Sequence, residues 1–286
     1  MTLFSRLTAC ALPLGALAIL VMSGGAALAA LGHPVPWQWD VQDSATPIMD
    51  DITSFNTFLF WITTAIAVFV LILLGIVMVR FNASANPRPS RTTHNAPLEI
   101  AWTIIPVIIL VAIAVPSFRL LFLELDVPKP DLTVKVTGKQ WYWSYGYPDN
   151  GNFEYDSTFV ADKDLKPGQL RLLTVDNELV VPVNKIVHVL VAGADVIHSF
   201  NVPSFGIRID AVPGRLNDTW FKATKEGTFH GQCTELCGTD HSFMPIVVRV
   251  VSESDFNTWV AQAKQKYAGA ESAPSNVLAA AGTPAH

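Results

Sequence analysis

Residues 230–245 read HGQCTELCGTDHSFMP. Within this stretch two cysteines, a histidine and a methionine follow the spacing C-x3-C-x3-H-x2-M, at Cys233, Cys237, His241 and Met244. Thiolate, thioether and imidazole donors suit copper better than they suit magnesium, calcium or manganese. The stretch is therefore a candidate metal-binding loop, and the remaining sequence indicates what holds it and where.

Other chemistry is open to these residues. A cysteine pair exported from the cytoplasm often forms a disulfide, but His241 and Met244 at loop spacing shift the balance toward a metal. Zinc held by two cysteines and two histidines would leave Met244 without a role. A mononuclear blue-copper site needs one cysteine, two histidines and a weak axial methionine. The second cysteine therefore suggests two copper ions bridged by two thiolates.

Such a site requires a further histidine, and three candidates are His188, His198 and His230. His188 alternates with apolar neighbours, which is typical of a structural residue within a strand. His230 precedes the end of its apparent strand. His198 follows a strand at a turn, within DVIHSF (195–200), and is the best candidate.

The composition bounds the class of protein. Of 286 residues, 50% are hydrophobic and 15% are charged, and the net charge is −5. This charged fraction is low for a purely soluble protein, and the negative charge argues against nucleic acid as a partner. Residues 1–29 predict a signal peptide ending in the small-x-small site Ala27-Leu28-Ala29, with an uncleaved membrane anchor as the alternative.

Two apolar runs, about 55–79 and 100–123, predict a transmembrane hairpin over residues 55–125, since about 20 apolar residues span a bilayer. A buried hairpin of a soluble domain is the alternative. The connecting loop, 80–98, has three arginines and no acid, whereas residues 30–54 have four aspartates and no lysine or arginine. The positive-inside rule therefore puts the loop in the cytoplasm and both flanks outside.

Glu99 stands at the cytoplasmic start of the second predicted helix. A carboxylate there is favourable with the helix dipole, which is one interpretation. Ionisable groups at membrane depth also tend to serve transport, so the mouth of a proton path is the other.

Residues 126–252 consist of short β-rich runs separated by turn residues, which predicts a Greek-key sandwich or barrel with the metal loop between the last two strands. The predicted strands include 132–137, 170–175, 185–192, 217–223 and 246–251. Residues 253–267 predict a C-terminal helix with an apolar face. The Ala/Ser/Pro-rich residues 268–286 predict a disordered tail.

The chain resembles subunit II of the haem–copper cytochrome c oxidases of the aa3 type, over nearly all of residues 50–260. The resemblance is carried by the segments EIAWTIIP (99–106), QWYWSY (140–145), KPG (166–168), VDN (175–177), DVIH (195–198), DAVPGR (210–215), GQCTELCG (231–238) and MP (244–245). The last two are highly specific to the binuclear CuA centre of that family. The implied fold is a two-helix transmembrane hairpin plus an all-β cupredoxin-like Greek-key domain.

The resemblance implies a copper ligand set, with both cysteines bridging the two ions: His198, Cys233, the backbone carbonyl of Glu235, Cys237, His241 and Met244. In the family, the carboxylate matching Glu235 helps to bind magnesium at the interface with subunit I, and a carboxylate suits that hard cation. Without the resemblance Glu235 would be an exposed loop acid.

Further roles follow from the resemblance. Trp141 matches the aromatic residue through which electrons enter, whereas by pattern alone it would be a core residue sharing a strand face with Trp143. Asp176 and Asp195 match carboxylates that attract cytochrome c, although isolated surface acids are usually just solvated. Complementary charge of this kind mainly raises the association rate.

Two positions depart from the family pattern. Gly146 stands where an acid is common, which weakens one part of the expected docking surface. His230 stands where an aromatic residue is usual, and it would either tune the copper or pack beside it.

The implied function is that of the electron-transfer subunit of a proton-pumping oxidase, which passes electrons from cytochrome c through CuA to haem a of subunit I. Expected partners are cytochrome c, subunit I with haem a and haem a3–CuB, subunit III and membrane lipid. The expected location is the inner membrane, with both termini and the copper domain on the periplasmic side. The alternatives are a quinol oxidase subunit II, which lacks the copper ligands, and a membrane-tethered copper-binding or assembly protein.

Overall fold

The computed structural model describes residues 32–267, so the predicted signal peptide and the predicted C-terminal tail lie outside the described residues. Two long helices come first, α1 (Pro47–Arg80) and α2 (Ala96–Leu125). Both are long and apolar enough to cross a membrane. The apolar stretch of each has no buried residues within the chain, so its side chains are free to meet lipid or another subunit.

Local capping sets where each helix begins. α1 starts at Pro47, inside the segment predicted to precede the membrane, because the Thr46 side chain accepts a hydrogen bond from the backbone N–H of Met49 and Pro47 suits the first helical position. α2 starts after Asn95, whose side chain accepts a hydrogen bond from the N–H of Leu98. The chain therefore enters α1 before its apolar run begins.

A domain of two five-stranded sheets follows the helices. Within residues 32–267 the strands are β1 (Leu132–Lys139), β2 (Tyr142–Tyr147), β3 (Phe153–Ser157), β4 (Leu179–Pro182), β5 (Ile186–Gly193), β6 (His198–Val202), β7 (Ile207–Ala211), β8 (Asn217–Lys222), β9 (Gly227–Cys233) and β10 (Pro245–Val251). One sheet has the order β3-β2-β1-β5-β8 and the other β4-β10-β9-β6-β7. Each sheet contains one parallel pair, β1 with β5 and β4 with β10. The predicted class of two membrane helices followed by a β domain is confirmed.

The core lies between the two sheets and reaches the end of β9. Alternate residues of β1 are buried, as expected for a strand with one face on a core. Most of its largest fully buried side chains are aromatic, among them Trp143, Tyr145, Phe200 and Phe229. Cys233, Cys237 and Met244 belong to the same buried cluster, so the candidate loop closes one end of the core.

Residues 170–175, predicted as a strand, form turns instead. Leu172 has a φ of 63°, in the left-handed region, which breaks an extended strand. The Thr174 hydroxyl donates to the carbonyl of Leu170 at 2.9 Å, which closes a turn. Val175 makes an isolated bridge with Phe159.

The β domain is hydrogen-bonded to both membrane helices. The Thr46 hydroxyl, at the start of α1, donates to the carbonyl of Phe205 at 2.7 Å in a buried position. The indole N–H of Trp220 in β8 donates to the carbonyl of Leu123, near the end of α2, at 3.2 Å. A third helix, α3 (Glu253–Tyr267), packs its apolar face, which includes Phe256, against β3 and β4, the edge strands of the two sheets.

Candidate metal centre

The candidate loop is clamped at both ends by paired strands. β9 ends at Cys233 and β10 begins at Pro245, and the two strands pair directly beside the loop, with Pro245 opposite Gln232. Alternate residues of β9 point to opposite faces, so Phe229, Gly231 and Cys233 face the core. This alternation directs the Cys233 thiol inward.

Sulfur, nitrogen and oxygen donors converge within the loop. The Sγ atoms of Cys233 and Cys237 are 3.9 Å apart, and both residues are free thiols, so the pair is not a disulfide. The Sγ of Cys237 lies 3.5 Å from Nδ1 of His241 and 3.5 Å from Sδ of Met244. The Sγ of Cys233 lies 3.3 Å from the backbone carbonyl oxygen of Glu235.

His198 completes the cluster from the neighbouring strand β6. One ring nitrogen of His198 and the two cysteine sulfurs all lie within 4.8 Å of one another. The Nε2 of His198 is 2.8 Å from Oδ1 of Asp195, and its Nδ1 is buried without a hydrogen-bond partner in the described residues. A buried nitrogen of this kind is costly unless something binds it. Its proximity to the thiols identifies Nδ1 as the candidate ligand atom.

Gly138 in β1 makes room for that imidazole. A Cβ built at Gly138 would lie 2.9 Å from the His198 ring, closer than real Cβ contacts come. The glycine therefore lets β1 pass directly under the histidine.

The other two candidate histidines lie elsewhere. The Nε2 of His188 is 3.0 Å from Oδ2 of Asp218 on β8, which pairs with β5, in agreement with a structural role. His230 is three positions from Cys233, so its side chain lies on the opposite face of β9, where Nδ1 is 3.0 Å from the carbonyl oxygen of Gly32. His230 therefore packs against the N-terminal segment and does not reach the copper donors.

The electrostatics of the cluster favour a thiolate. Burial raises the pKa of the Cys233 thiol, but the neighbouring His198 imidazole and backbone groups of Ser199 and Glu235 outweigh burial and lower the pKa to about 7. Burial and the negative charge of Cys233 raise the pKa of Cys237 to about 12. Burial lowers the pKa of His198, but its contacts with Cys233 and Asp195 outweigh burial and raise it. The donor groups thus share their protons unevenly, and a bound cation would release those protons.

This donor set fits copper. Two thiols, one thioether and two imidazoles are soft or borderline ligands, and the buried, unpartnered Nδ1 of His198 is directed into the same space. Zinc held by cysteine and histidine would leave the Met244 sulfur, which is buried 3.5 Å from Cys237, unexplained.

Trp141 and its neighbour Gln140 lie against the loop. Gly238 has a φ of 126°, and a Cβ built there would lie 3.0 Å from the Trp141 ring, so this indole packs on the residue next to Cys237. The Gln140 amide donates to the carbonyl of Cys237 at 3.0 Å. Trp141 is half-buried and precedes β2.

Trp143, by contrast, is fully buried, and its indole N–H donates to the carbonyl of Met244 at 3.2 Å. The prediction that Trp141 and Trp143 share a strand face is wrong, since only Trp143 belongs to β2. The roles of Gln140, Gly138 and Trp143 in holding the loop were not predicted. Gln140 and Trp143 could have been found from the sequence, because both fall within the aromatic segment 140–145 that carries the resemblance. Gly138 lies outside that segment.

The two candidate docking acids are held by the chain's own groups. Asp195 accepts hydrogen bonds from the backbone N–H groups of Gln140 and Val196, both at 2.7 Å, besides its contact with His198. Burial raises the pKa of Asp195, but these hydrogen bonds, His198's foremost, outweigh burial and lower it. Asp176 accepts from the N–H and the hydroxyl of Thr158. Both acids therefore have structural partners in addition to an exposed surface.

The Glu235 carboxylate lies near the Arg208 side chain. One carboxylate oxygen lies 3.9 Å from the Arg208 guanidinium, and both side chains are largely exposed. The adjoining Leu236 is 79% exposed. Glu99 lies on α2, remote in the fold from this loop, where its carboxylate accepts from the N–H of Asn95 at 2.9 Å.

Comparison with known proteins agrees with this architecture. The model of the family "Cytochrome C oxidase subunit II, periplasmic domain" matches residues 132–251, and that of "Cytochrome C oxidase subunit II, transmembrane domain" matches residues 34–120.

Similar proteins cover most of the chain. A "Probable cytochrome c oxidase subunit 2" of Rickettsia felis is 55% identical over 229 residues, which are 80% of this chain and 73% of that protein. A "Cytochrome c oxidase subunit 2" of Cereibacter sphaeroides is 45% identical over 281 residues, covering 91% of this chain and 92% of that protein. The solved periplasmic domain of subunit II of the Bradyrhizobium japonicum oxidase is 63% identical, covers 50% of this chain and 99% of that one, and has a TM-score of 0.47.

Proposed function

The chain belongs to the cytochrome c oxidase subunit II family, and on that basis we propose that it accepts electrons from cytochrome c at a binuclear copper centre. It passes them to haem a of subunit I, where oxygen is reduced and protons are pumped. The chain is an inner-membrane protein with a C-terminal periplasmic domain. Quinol oxidase subunit II is not favoured, because the full set of copper donors is present.

One observation carries the proposal. The two free thiols, the Met244 thioether and the unpartnered Nδ1 of His198 converge in one buried space. The residues that would hold the copper are His198, Cys233, Cys237, His241, Met244 and, through its backbone carbonyl, Glu235. Bound copper supplies a one-electron carrier.

Other residues of the chain hold the proposed ligands in fixed positions within the buried cluster. Asp195 fixes the tautomer and angle of His198, as a carboxylate behind a ligand histidine does. The Trp143 indole N–H donates a hydrogen bond to the Met244 carbonyl, and the Gln140 amide donates one to the Cys237 carbonyl. Because ligands tied at their backbone and outer atoms move little, a change of copper charge would displace few atoms.

Trp141 is proposed as the point where electrons enter. Its indole packs on Gly238, the residue after Cys237, and remains half-buried. An aromatic ring with one side near a ligand and another toward the surface is suited to this role. Asp176 and Asp195 would add negative charge for cytochrome c, which mainly raises the association rate.

A second proposed contact surface, formed by Glu235 and Leu236 of the loop, would face subunit I. The Glu235 carboxylate projects from the loop and would help to bind magnesium at that interface, since carboxylate oxygen suits a hard cation. Exposed apolar side chains beside it, such as Leu236, are typical of a surface that a partner covers.

The membrane hairpin would place Glu99 at the cytoplasmic mouth of a proton path. The arginines of residues 80–98 favour a cytoplasmic loop. Lipid and subunit III are further proposed partners. A cleaved leader over 1–29 and an extracytoplasmic segment over 30–54 complete the proposed organisation.

The full chain, reconstituted with copper in detergent, tests the proposal. We expect two copper ions per chain, a mixed-valence electron paramagnetic resonance spectrum and rapid reduction by cytochrome c. In Cys233→Ser, the near-infrared absorption of the binuclear centre should disappear. Copper binding without reduction by cytochrome c would instead support a membrane-tethered copper carrier, and one copper per chain would overturn the binuclear assignment.

A further inference from the structure

A cavity of about 340 Å³ lies on the outer face of the second sheet, where the side chain of His230 projects. His33 of the N-terminal segment, His230 of β9 and Glu178 beside β4 all line it. Two imidazoles and a carboxylate thus meet in a space that the proposed electron transfer does not use.

The two imidazoles are oriented by backbone carbonyls. Their ring centroids are 6.1 Å apart and their planes are at 81°. The Nδ1 of His33 lies 3.1 Å from the carbonyl oxygen of Pro34, and the Nδ1 of His230 lies 3.0 Å from that of Gly32. Within residues 32–267 neither Nε2 has a hydrogen-bond partner. A histidine that donates Nδ1–H to a carbonyl presents Nε2 as a lone pair, the usual arrangement of a metal ligand.

Glu178 supplies an oriented carboxylate. Its Oε2 is ion-paired with Nε of Arg249 at 2.7 Å, and in the described part of the chain its Oε1 has no partner. Only the copper donors have three ligand atoms within 4.8 Å of one another among residues 32–267. Binding an ion in the cavity therefore requires the carboxylate and the rings to close on it.

We propose that His33, His230 and Glu178 bind one divalent ion of the zinc class, at a site separate from the copper centre. Two imidazoles and one carboxylate, with water in the fourth position, are a common zinc ligand set at about 2.0–2.2 Å. The set has no sulfur, which separates it chemically from the copper ligands.

The ion would fasten the N-terminal segment to β9. Gly32 and His230 are 198 positions apart, yet the Gly32 carbonyl accepts from the backbone N–H of His230 at 2.7 Å. A metal bridging the adjacent His33 to His230 would reinforce this contact.

Titration of the copper-loaded full chain with Zn²⁺, followed by calorimetry and by metal analysis after dialysis, tests the site. We expect one zinc per chain in addition to copper. His33→Ala and His230→Gln should each weaken zinc binding at least about tenfold, since losing even an outer partner of a ligand costs about 10–100-fold. His188→Ala is the matched control, because His188 pairs with Asp218 outside the cavity, and it should bind zinc like the wild type.

The copper absorption of each variant reports whether the fold is intact. If His230→Gln loses copper, His33→Ala decides the question, because His33 lies outside both sheets. Equal zinc affinity in the wild type and His33→Ala would overturn the proposal. Sulfur in the zinc X-ray absorption spectrum would also overturn it, because it would assign the zinc to the copper donors.

Discussion

The Oδ1 of Asp195 lies 2.8 Å from the Nε2 of His198, while the other nitrogen of the same ring is buried and unpartnered. The two ring nitrogens of His198 thus have different roles: Nε2 contacts the supporting carboxylate, and Nδ1 is available to bind a metal. The carboxylate holds one side of the ring, which leaves Nδ1 directed at the thiols. Asp195, which we expect to act in docking, thus also positions His198, the proposed copper ligand.

Asp195→Asn is expected to weaken copper retention by about 10–100-fold, because an amide supports the ligand imidazole less well than a carboxylate. Competition with a chelator measures the effect. Asp218→Asn is the matched control, since Asp218 holds His188 at 3.0 Å far from the donors. If both variants retain copper equally, Asp195 has no supporting role.

Met244→Leu is expected to raise the reduction potential of the bound copper, because the thioether donates electron density that stabilises the oxidised state. The swap conserves volume, so the free energy of unfolding should fall by less than about 1.5 kcal/mol. Redox potentiometry and thermal unfolding measure the two effects. Met49→Leu, at another buried methionine near the start of α1, should leave the potential unchanged. An unchanged potential in Met244→Leu would remove Met244 from the ligand set.

Trp141→Phe is expected to slow reduction by cytochrome c by about tenfold, equivalent to about 1.4 kcal/mol in the barrier. Copper content should stay the same, because no proposed ligand changes. Stopped-flow reduction at fixed ionic strength gives the rate. Trp259→Phe, in the aromatic cluster of α3, is the control for losing an indole away from the loop. Equal rates in both variants would return Trp141 to a packing role.

Glu99→Gln is expected to lower proton-coupled turnover of the assembled oxidase. The glutamine oxygen can still accept from the N–H of Asn95, so helix stability should change by no more than about 1 kcal/mol, the usual effect of a charge at a helix end. Oxygen consumption in proteoliposomes measures turnover. Glu124→Gln, at the opposite end of α2, is the control, and normal turnover in Glu99→Gln would contradict the proton-path role.

Much of the fold could be predicted from local patterns in the sequence. Apolar runs of membrane length predicted α1 and α2, and alternation of apolar and polar residues between turn residues predicted the β domain. The strand over 170–175 was predicted wrongly, because the left-handed backbone of Leu172 leaves no mark in an alternating apolar pattern. Local spacing likewise could not reveal that residue 138 passes beneath the His198 ring, since that contact joins two different strands.

The part of the candidate site that lies within one loop could be predicted from the sequence. Cys233, Cys237, His241 and Met244 are neighbours in the chain, and the structure brings them together with His198. The orientation of His230 could also have been predicted, because an odd offset from Cys233 places it on the other face of β9. The dual position of Asp195, which both faces solvent and holds His198, needed the structure.

The hydrogen bonds from Thr46 to Phe205 and from Trp220 to Leu123 tie the periplasmic domain to the outer end of each membrane helix. A domain fastened at two separate points cannot swivel on a single hinge. The two contacts therefore restrain the height of the donor cluster relative to the membrane helices, and also the side that it turns toward the membrane. In the proposed electron transfer, diffusion and reorientation would then fall to the soluble electron carrier, which would have to dock on a surface of nearly fixed position.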